Sequence, residues 1–329
     1  MKAVWPVVFL GFSAANIAVA DSADTRETLA WLGKMTAASN QLNYSGTFVY
    51  QHGGQSETSR IAHFVNSAGG VFEKLETLDG PVREVVRSND QVTCYLPKSK
   101  TVLIEQRNAR LLPALLPENL SGINDSYNVR VGGTDRVAGY ECQVIALEPR
   151  DKLRYGRQFC LESKSGLPLR VRTVNEKNDA VESFAFTELR IGGRFDRDKV
   201  KSRYAVKSRH WRIDRSALNV TEKSAETGWV VLDQPPGFRK LMEIQRSIAG
   251  RAGPVAQIVF SDGLAAISVF IEPMPKEKAP KTTLTHQGAV NIYTRIYADR
   301  MVTVLGEAPA ATVMQIANSL ELKTNAAAK

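Results

Sequence analysis

Cysteine is scarce in this chain, with three copies in 329 residues, at 94, 142 and 160. That is too few for a disulfide-stapled scaffold or a zinc module, and no Cys-x-x-Cys occurs. Histidine is hardly commoner. His52, His63, His210 and His286 are the four copies, and no two stand two or four residues apart, so the spacing that grips a metal from one strand or helix is missing. Neither metal nor cofactor is expected. There is no Gly-x-Ser-x-Gly elbow, Ser-x-x-Lys pair, Walker loop or Gly-x-Gly-x-x-Gly fingerprint. Carboxylates are plentiful, yet none pairs in a way that departs from a solvated surface, so catalysis is not expected. Beyond the first twenty residues no apolar run approaches the ~20 that cross a bilayer, and there is no internal repeat.

What is present is an ordinary globular composition, 43% hydrophobic and 23% charged. At roughly 100–200 residues per domain the length points to two domains. The formal charge of +9 favours anionic partners. The chain opens Met1-Lys2, runs apolar from Ala3 to about Ala15, and reaches Ala18-Val19-Ala20 before Asp21. A positive start, a short greasy core and small residues at −3 and −1 predict a secretory signal over 1–20, cleaved after Ala20. No cysteine follows the cut to take a lipid. For an exported chain, nucleic acid drops out as a partner despite the basic charge.

Exported cysteines are read as candidate disulfides. Two strands, Tyr140 to Leu147 and Tyr155 to Leu161, flank a loop centred near 151, which sets Cys142 opposite Cys160 and leaves Cys94 single. A register shift of one would separate the pair into independent thiols. Upstream, Asp24-Thr25-Arg26-Glu27 has the form of a helix start, and Leu29, Leu32 and Met35 supply a stripe for a helix over about 25–40. Strands then recur about every ten residues, from Tyr44 to Glu105 and again from Tyr127 to Leu189, separated by Gly53-Gly54, Asp79-Gly80-Pro81 and Ser88-Asn89-Asp90. Between the two series lies a leucine-rich break at 111–117. The expected fold is α+β and mostly antiparallel, with a large domain over 21–193.

Residues 194–215 carry nine Lys or Arg against three Asp, a local net of +6. They read as a basic linker, with Arg203, Lys207, Arg209 and Arg212 as candidate contacts for a partner or a lipid headgroup. A smaller C-terminal α+β domain is expected over 216–325. Its Asp262-Gly263 dipeptide, between Val255 to Phe260 and Ala265 to Glu272, is a type I′ hairpin signal. Val290 to Tyr297 and Met301 to Gly306 give another strand pair, and Ala310 to Leu320 a closing helix. Phe48, Tyr50, Phe64, Phe72, Tyr95, Phe159, Phe184 and Phe186 fall along the large domain's strands. Two readings stay open for them: a packed core under the helix, or the lining of an apolar pocket suited to acyl chains.

Six segments in order, GTFVY (46–50), LDGPVREVVR (78–87), NEKNDAVESFAFTEL (175–189), LDQPPGF (232–238), SDGLAAISVFIEP (261–273) and MVTVLGEAP (301–309), resemble the RseB/MucB family of periplasmic negative regulators of the envelope-stress sigma factor. The resemblance implies a LolA/LolB-like half-barrel for the large domain and a smaller regulator domain after the linker. It implies binding to the periplasmic domain of a transmembrane anti-sigma factor of the RseA/MucA type, which is thereby shielded from regulated proteolysis. Release by an acyl chain or lipopolysaccharide ligand is implied too, and a homo-oligomer stays open. The anti-sigma contact is expected around the 262–273 hairpin, with Asp262 and Phe270 as its candidates. A periplasmic lipid or lipoprotein carrier is the alternative.

Overall fold

The computed structural model describes residues 17–106, 122–194, 196–215, 223–224, 226–246, 253–274 and 281–323. The leucine-rich run at 111–117 and most of the Pro/Lys loop at 273–281 lie outside them. Helix α1 (Ile17–Gln41) leads into six strands: β1 (Tyr44–His52), β2 (Gln55–Val65), β3 (Val71–Thr77), β4 (Glu84–Ser88), β5 (Gln91–Leu96) and β6 (Thr101–Gln106). A one-turn helix, α2 (Ile123–Ser126), precedes β7 (Tyr127–Val137), β8 (Tyr140–Pro149), β9 (Gly156–Glu162), β10 (Pro168–Val174) and β11 (Ala180–Ile191). Two 3-10 turns and β12 (Arg212–Asp214) follow. The remainder comprises β13 (Lys223–Ser224), β14 (Trp229–Val231), β15 (Arg239–Arg246), β16 (Val255–Ser261), β17 (Ala266–Pro273), β18 (Thr283–Gln287), β19 (Val290–Tyr297), β20 (Arg300–Gly306), α3 (Ala310–Asn318) and β21 (Leu320–Leu322).

Twelve strands form one sheet in the order β12-β6-β5-β4-β3-β2-β1-β11-β10-β9-β8-β7. Eleven of the strands make two antiparallel meanders, each built from local hairpins and joined where β1 pairs with β11, and β12 adds in parallel to β6. Gly53 and Gly54 turn the first hairpin at φ 52° and 77°, a left-handed pair that glycine adopts without steric cost. Helix α1 lays Thr28, Leu32, Met35 and Ala38, spaced three or four apart and all buried, against one face of this sheet. The core beneath it includes Tyr44, Phe48, Ile61, Phe159, Leu161 and Phe184. Lys34 fastens the helix by donating to the Ser163 carbonyl at 2.9 Å. The helix begins at Ile17 and not at the Asp24 cap. The part of the helix up to Ala20 falls in the segment expected to be cleaved; within the remainder Ala23 favours helix through the Asp24 position.

The smaller domain is a seven-stranded sheet ordered β13-β15-β16-β17-β20-β19-β18, with α3 packed on β19 and β20. Val313 and Ile316 of α3 meet Ile258, Val269 and Val304 in its core, and β14 pairs with β21 as a short ribbon. The β16–β17 connection departs from a two-residue type I′ turn. Ser261 pairs with Ala266, leaving a four-residue loop. One oxygen of the Asp262 carboxylate accepts from the backbone of Leu264 and Ala265 at 2.9 and 2.8 Å, so the side chain organises the loop itself.

Cys142 and Cys160 form a disulfide and Cys94 is free. The ladder pairs Val144 with Cys160 and Cys142 with Glu162. The symmetric hairpin is thus two residues out of register, a displacement that keeps both cysteines on one face. Both are buried, with Cα atoms 5.3 Å apart. Thiol titration of the unfolded, unreduced protein is expected to find one reactive cysteine, rising to three after reduction. Cys142→Ala together with Cys160→Ala should lower stability by about 2–4 kcal/mol in urea unfolding, the range for opening a loop of this size.

Candidate functional site

The loop between β8 and β9 carries the densest set of contacts between the two domains. Its Arg154 has a fully buried side chain. The guanidinium donates twice to Asp151 of the same loop, each at 3.0 Å. It then crosses to the smaller domain, donating to the Asp262 carboxylate at 2.9 Å and the Pro236 carbonyl at 2.5 Å. The plane of Arg154 lies between two aromatic rings, 5.6 Å from the centroid of Tyr127 and 5.2 Å from that of Phe238. Asp262, also fully buried, receives the Tyr127 hydroxyl at 2.9 Å on the oxygen that faces Arg154. Burial, followed by the Asp262 charge and hydrogen bond, pushes the Tyr127 hydroxyl far above its ordinary range, so it stays a donor at any physiological pH. Burial works to lower the Arg154 pKa; the Asp151 hydrogen bond and the Asp262 and Asp151 charges outweigh it and hold the pKa raised.

Flanking contacts extend the seam. Thr312 of α3 donates to the Leu153 carbonyl at 2.8 Å. Asn291 donates to the Tyr155 hydroxyl at 3.0 Å, and Arg157 pairs with Glu307 at 2.6 Å. At the far end Gly288 abuts His52 of the β1–β2 hairpin so closely that a Cβ there would sit 2.8 Å from the His52 side chain. An open cavity of about 870 Å³ borders the seam, lined by Arg154, Tyr155, Lys177 and Asn178 on one side and Pro309 and Ala311 on the other. Among the described residues no group of His, Cys, Asp or Glu is arranged to hold a metal. His63 is a buried side chain with Nδ1 2.7 Å from the Leu42 carbonyl. The site offers recognition by charge, hydrogen bonding and shape.

The structure divides the eight candidate pocket aromatics between two faces. Phe48, Phe159, Phe184 and Phe186 are buried together beneath α1, with Tyr50 at their margin. Strand alternation carries Phe64, Phe72 and Tyr95 to the opposite face. There Phe64 and Phe72 pack together at 6.2 Å, and Arg197 lies over Phe64. The eight therefore do not share one surface, because adjacent strand positions such as His63 and Phe64 point apart. The Asp262 side chain is the buried partner of Arg154 within the seam. Phe270 is half-buried on β17, on the side away from Val269 and Ile271.

Residues read as a basic linker lie along the large sheet. Arg203 reaches Glu76 at 2.8 Å and the fully buried Glu84 at 2.9 Å, and Ser202 donates to Glu84 at 2.7 Å. Strand β12 pairs in parallel with β6 at the sheet edge. The sequence hides these partners because they stand more than a hundred residues apart. Lys207 and Arg209 are exposed, as is Arg212. Arg154 and Asp151 were not singled out at all. Their only local trace is an acid–base pair three apart inside a loop, a pattern found on any surface.

The MucB/RseB N-terminal domain matches residues 27–204, and the MucB/RseB C-terminal domain matches residues 223–321. Sigma factor AlgU regulatory protein MucB of Pseudomonas aeruginosa is 33% identical over 302 residues, covering 91% of this chain and 92% of its own. The complex structure of Pseudomonas aeruginosa MucA/MucB superposes with a TM-score of 0.72 at 31% identity, over 91% of this chain and 99% of that one. The crystal structure of MucB gives 0.62 at 30% identity, over 90% and 98%. With coverage nearly equal, the chain superposes better on MucB in the complex.

Arg154→Ala should destabilise the protein by about 3–5 kcal/mol, because it strands a buried carboxylate. Thermal unfolding and limited proteolysis would show a lower midpoint and a new cut between the domains; an unchanged midpoint would remove the seam from its role. Phe48→Ala should cost about 3–5 kcal/mol in urea unfolding. Phe64→Ala, on the opposite and more open face, should cost less than half as much.

Proposed function

The chain belongs to the MucB/RseB family, and on that premise we propose that it is a periplasmic regulator acting by binding, without catalysis. It holds the periplasmic part of a membrane-spanning anti-sigma factor of the RseA/MucA type and shields it from regulated proteolysis, so that the sigma factor stays inactive. The observation that carries this reading is the seam between the domains, in a chain that superposes better on MucB with MucA than on MucB by itself. An extended partner segment is placed at the cavity beside Arg154 and α3, where both domains can be read at once. Phe270 and the outer face of β17 are its candidate extension on the smaller domain.

The releasing signal is placed on an acyl chain or lipopolysaccharide. A ligand that reverses occupancy from 99:1 to 1:99 must prefer the free regulator by about 10⁴-fold, or about 5.5 kcal/mol. About seven buried methylenes supply that. Half-buried Leu75, Val131, Leu189 and Ile191 fringe the aromatic core and are where such a chain would enter. Linkage requires that filling this face disfavour the closed seam.

The test mixes the purified protein with the periplasmic segment of its cognate anti-sigma factor. Binding at micromolar concentration or tighter is expected, with protection of that segment from its first regulated cleavage. Adding lipopolysaccharide or a long-chain fatty acid should release it. Absence of binding at micromolar concentration overturns the proposal, and undiminished binding at saturating lipid removes the signal from it. Light scattering on the same samples reports whether a homo-oligomer is the acting form.

A further inference from the structure

We infer that residues 206–213, together with the turn at 97–100, form a docking surface for a bilayer rich in anionic phospholipid. The surface is assembled from two distant stretches. Strand β12 pairs with β6, matching Arg212 to Thr101, and the Arg212 backbone donates to the Lys100 carbonyl at 3.0 Å. Exposed Lys98 and Lys100 are thereby brought beside Arg212. A 3-10 turn over Lys207–His210, anchored by buried Ser208, holds Lys207 and Arg209 outward. Neither cation is used in an ion pair among the described residues, whereas Arg203 is committed to Glu76 and Glu84. The nearest carboxylate, Asp214, is 4.0 Å from Arg212.

Apolar side chains stand among these charges. Val206 is 68% exposed and Ile213 47% exposed, and Trp211 is half-exposed with its ring 5.6 Å from Tyr204. Among the described residues these branched aliphatics stand exposed beside cations that are free of ion pairs. A lipid interface matches both: phosphates for Lys and Arg, and the acyl boundary just beneath for Val206, Ile213 and the Trp211 edge. The matched family domains end at 204 and resume at 223. Residues 206–213 fall between the two matched domains, whereas the turn at 97–100 belongs to the first of them. The patch does not depend on how the anti-sigma segment is held.

Co-sedimentation of the purified protein with phosphatidylcholine vesicles, with and without an equal part of phosphatidylglycerol, tests the inference. Binding is expected only to the acidic vesicles and should weaken as salt rises. Lys207→Gln, Arg209→Gln and Arg212→Gln together should lower partitioning about 100-fold. These side chains are exposed, so the thermal midpoint serves as the check on folding. Val206→Ser with Ile213→Ser should keep the salt-sensitive attraction and lose the part that survives high salt. Equal binding to neutral and acidic vesicles, no binding to either, or a folded triple variant that partitions like the parent each overturn the inference. In the last case, loss of anti-sigma binding by that variant would assign the patch to a protein partner.

Discussion

A single buried guanidinium holds the two domains in register. Arg154 is removed from water, yet each of its three guanidinium nitrogens has an acceptor, in Asp151, Asp262 and the Pro236 carbonyl. Asp262 is equally committed, with one oxygen shaping its own loop and the other shared by Arg154 and Tyr127. A buried ion pair of this kind contributes little net stability over an apolar contact, but breaking it is costly. Its value is geometric. It tolerates one arrangement of the domains and penalises intermediate ones, as a two-state binding protein requires.

The surrounding contacts are of another kind. Arg157–Glu307 lies at the solvent edge, where water can replace it at modest cost, whereas Thr312 and Asn291 make buried hydrogen bonds between uncharged groups. The seam therefore has a rigid centre and an adjustable rim. A segment laid along the rim would exchange the Arg157–Glu307 pair without disturbing Arg154, whereas separating the domains would expose it. Charge elsewhere follows the same division. The basic segment is pinned to the large sheet at Arg203 and Ser202 through Glu84, and beyond that point its cations face outward.

Strands, hairpins and the two-domain division were legible because they depend on neighbours in the chain. Turn residues and a recurrence of about ten residues marked the strands from β1 to β5. The cysteine pair was also legible, since a two-residue error in register preserves the face. What failed depends on partners far away in sequence. Strand β12 has no alternation to announce it and exists through β6. The β7–β8 ladder is irregular between Val131 and Thr134, at the Gly132-Gly133 step, and resumes beyond it. The aromatic residues were correctly placed on strands, but pooling them ignored that Phe64 and His63 occupy opposite faces. Asp262 drew notice as a turn residue and was given an outward role, because nothing nearby in the chain reveals that Arg154 awaits it.

The junction of β1 with β11 has a consequence for the order in which the protein acquires its shape. Tyr44 pairs with Ile191 and His52 with Glu182, so the central rung of the large sheet joins stretches separated by well over a hundred residues. The first meander can form as soon as it emerges from a ribosome or a translocation pore. Its β1 flank then stays an open template until the second meander arrives. Such late, long-range closure is slow compared with hairpin formation. The newly delivered chain thus passes through an interval in which one half is built and adhesive, and a holding chaperone would act on that interval.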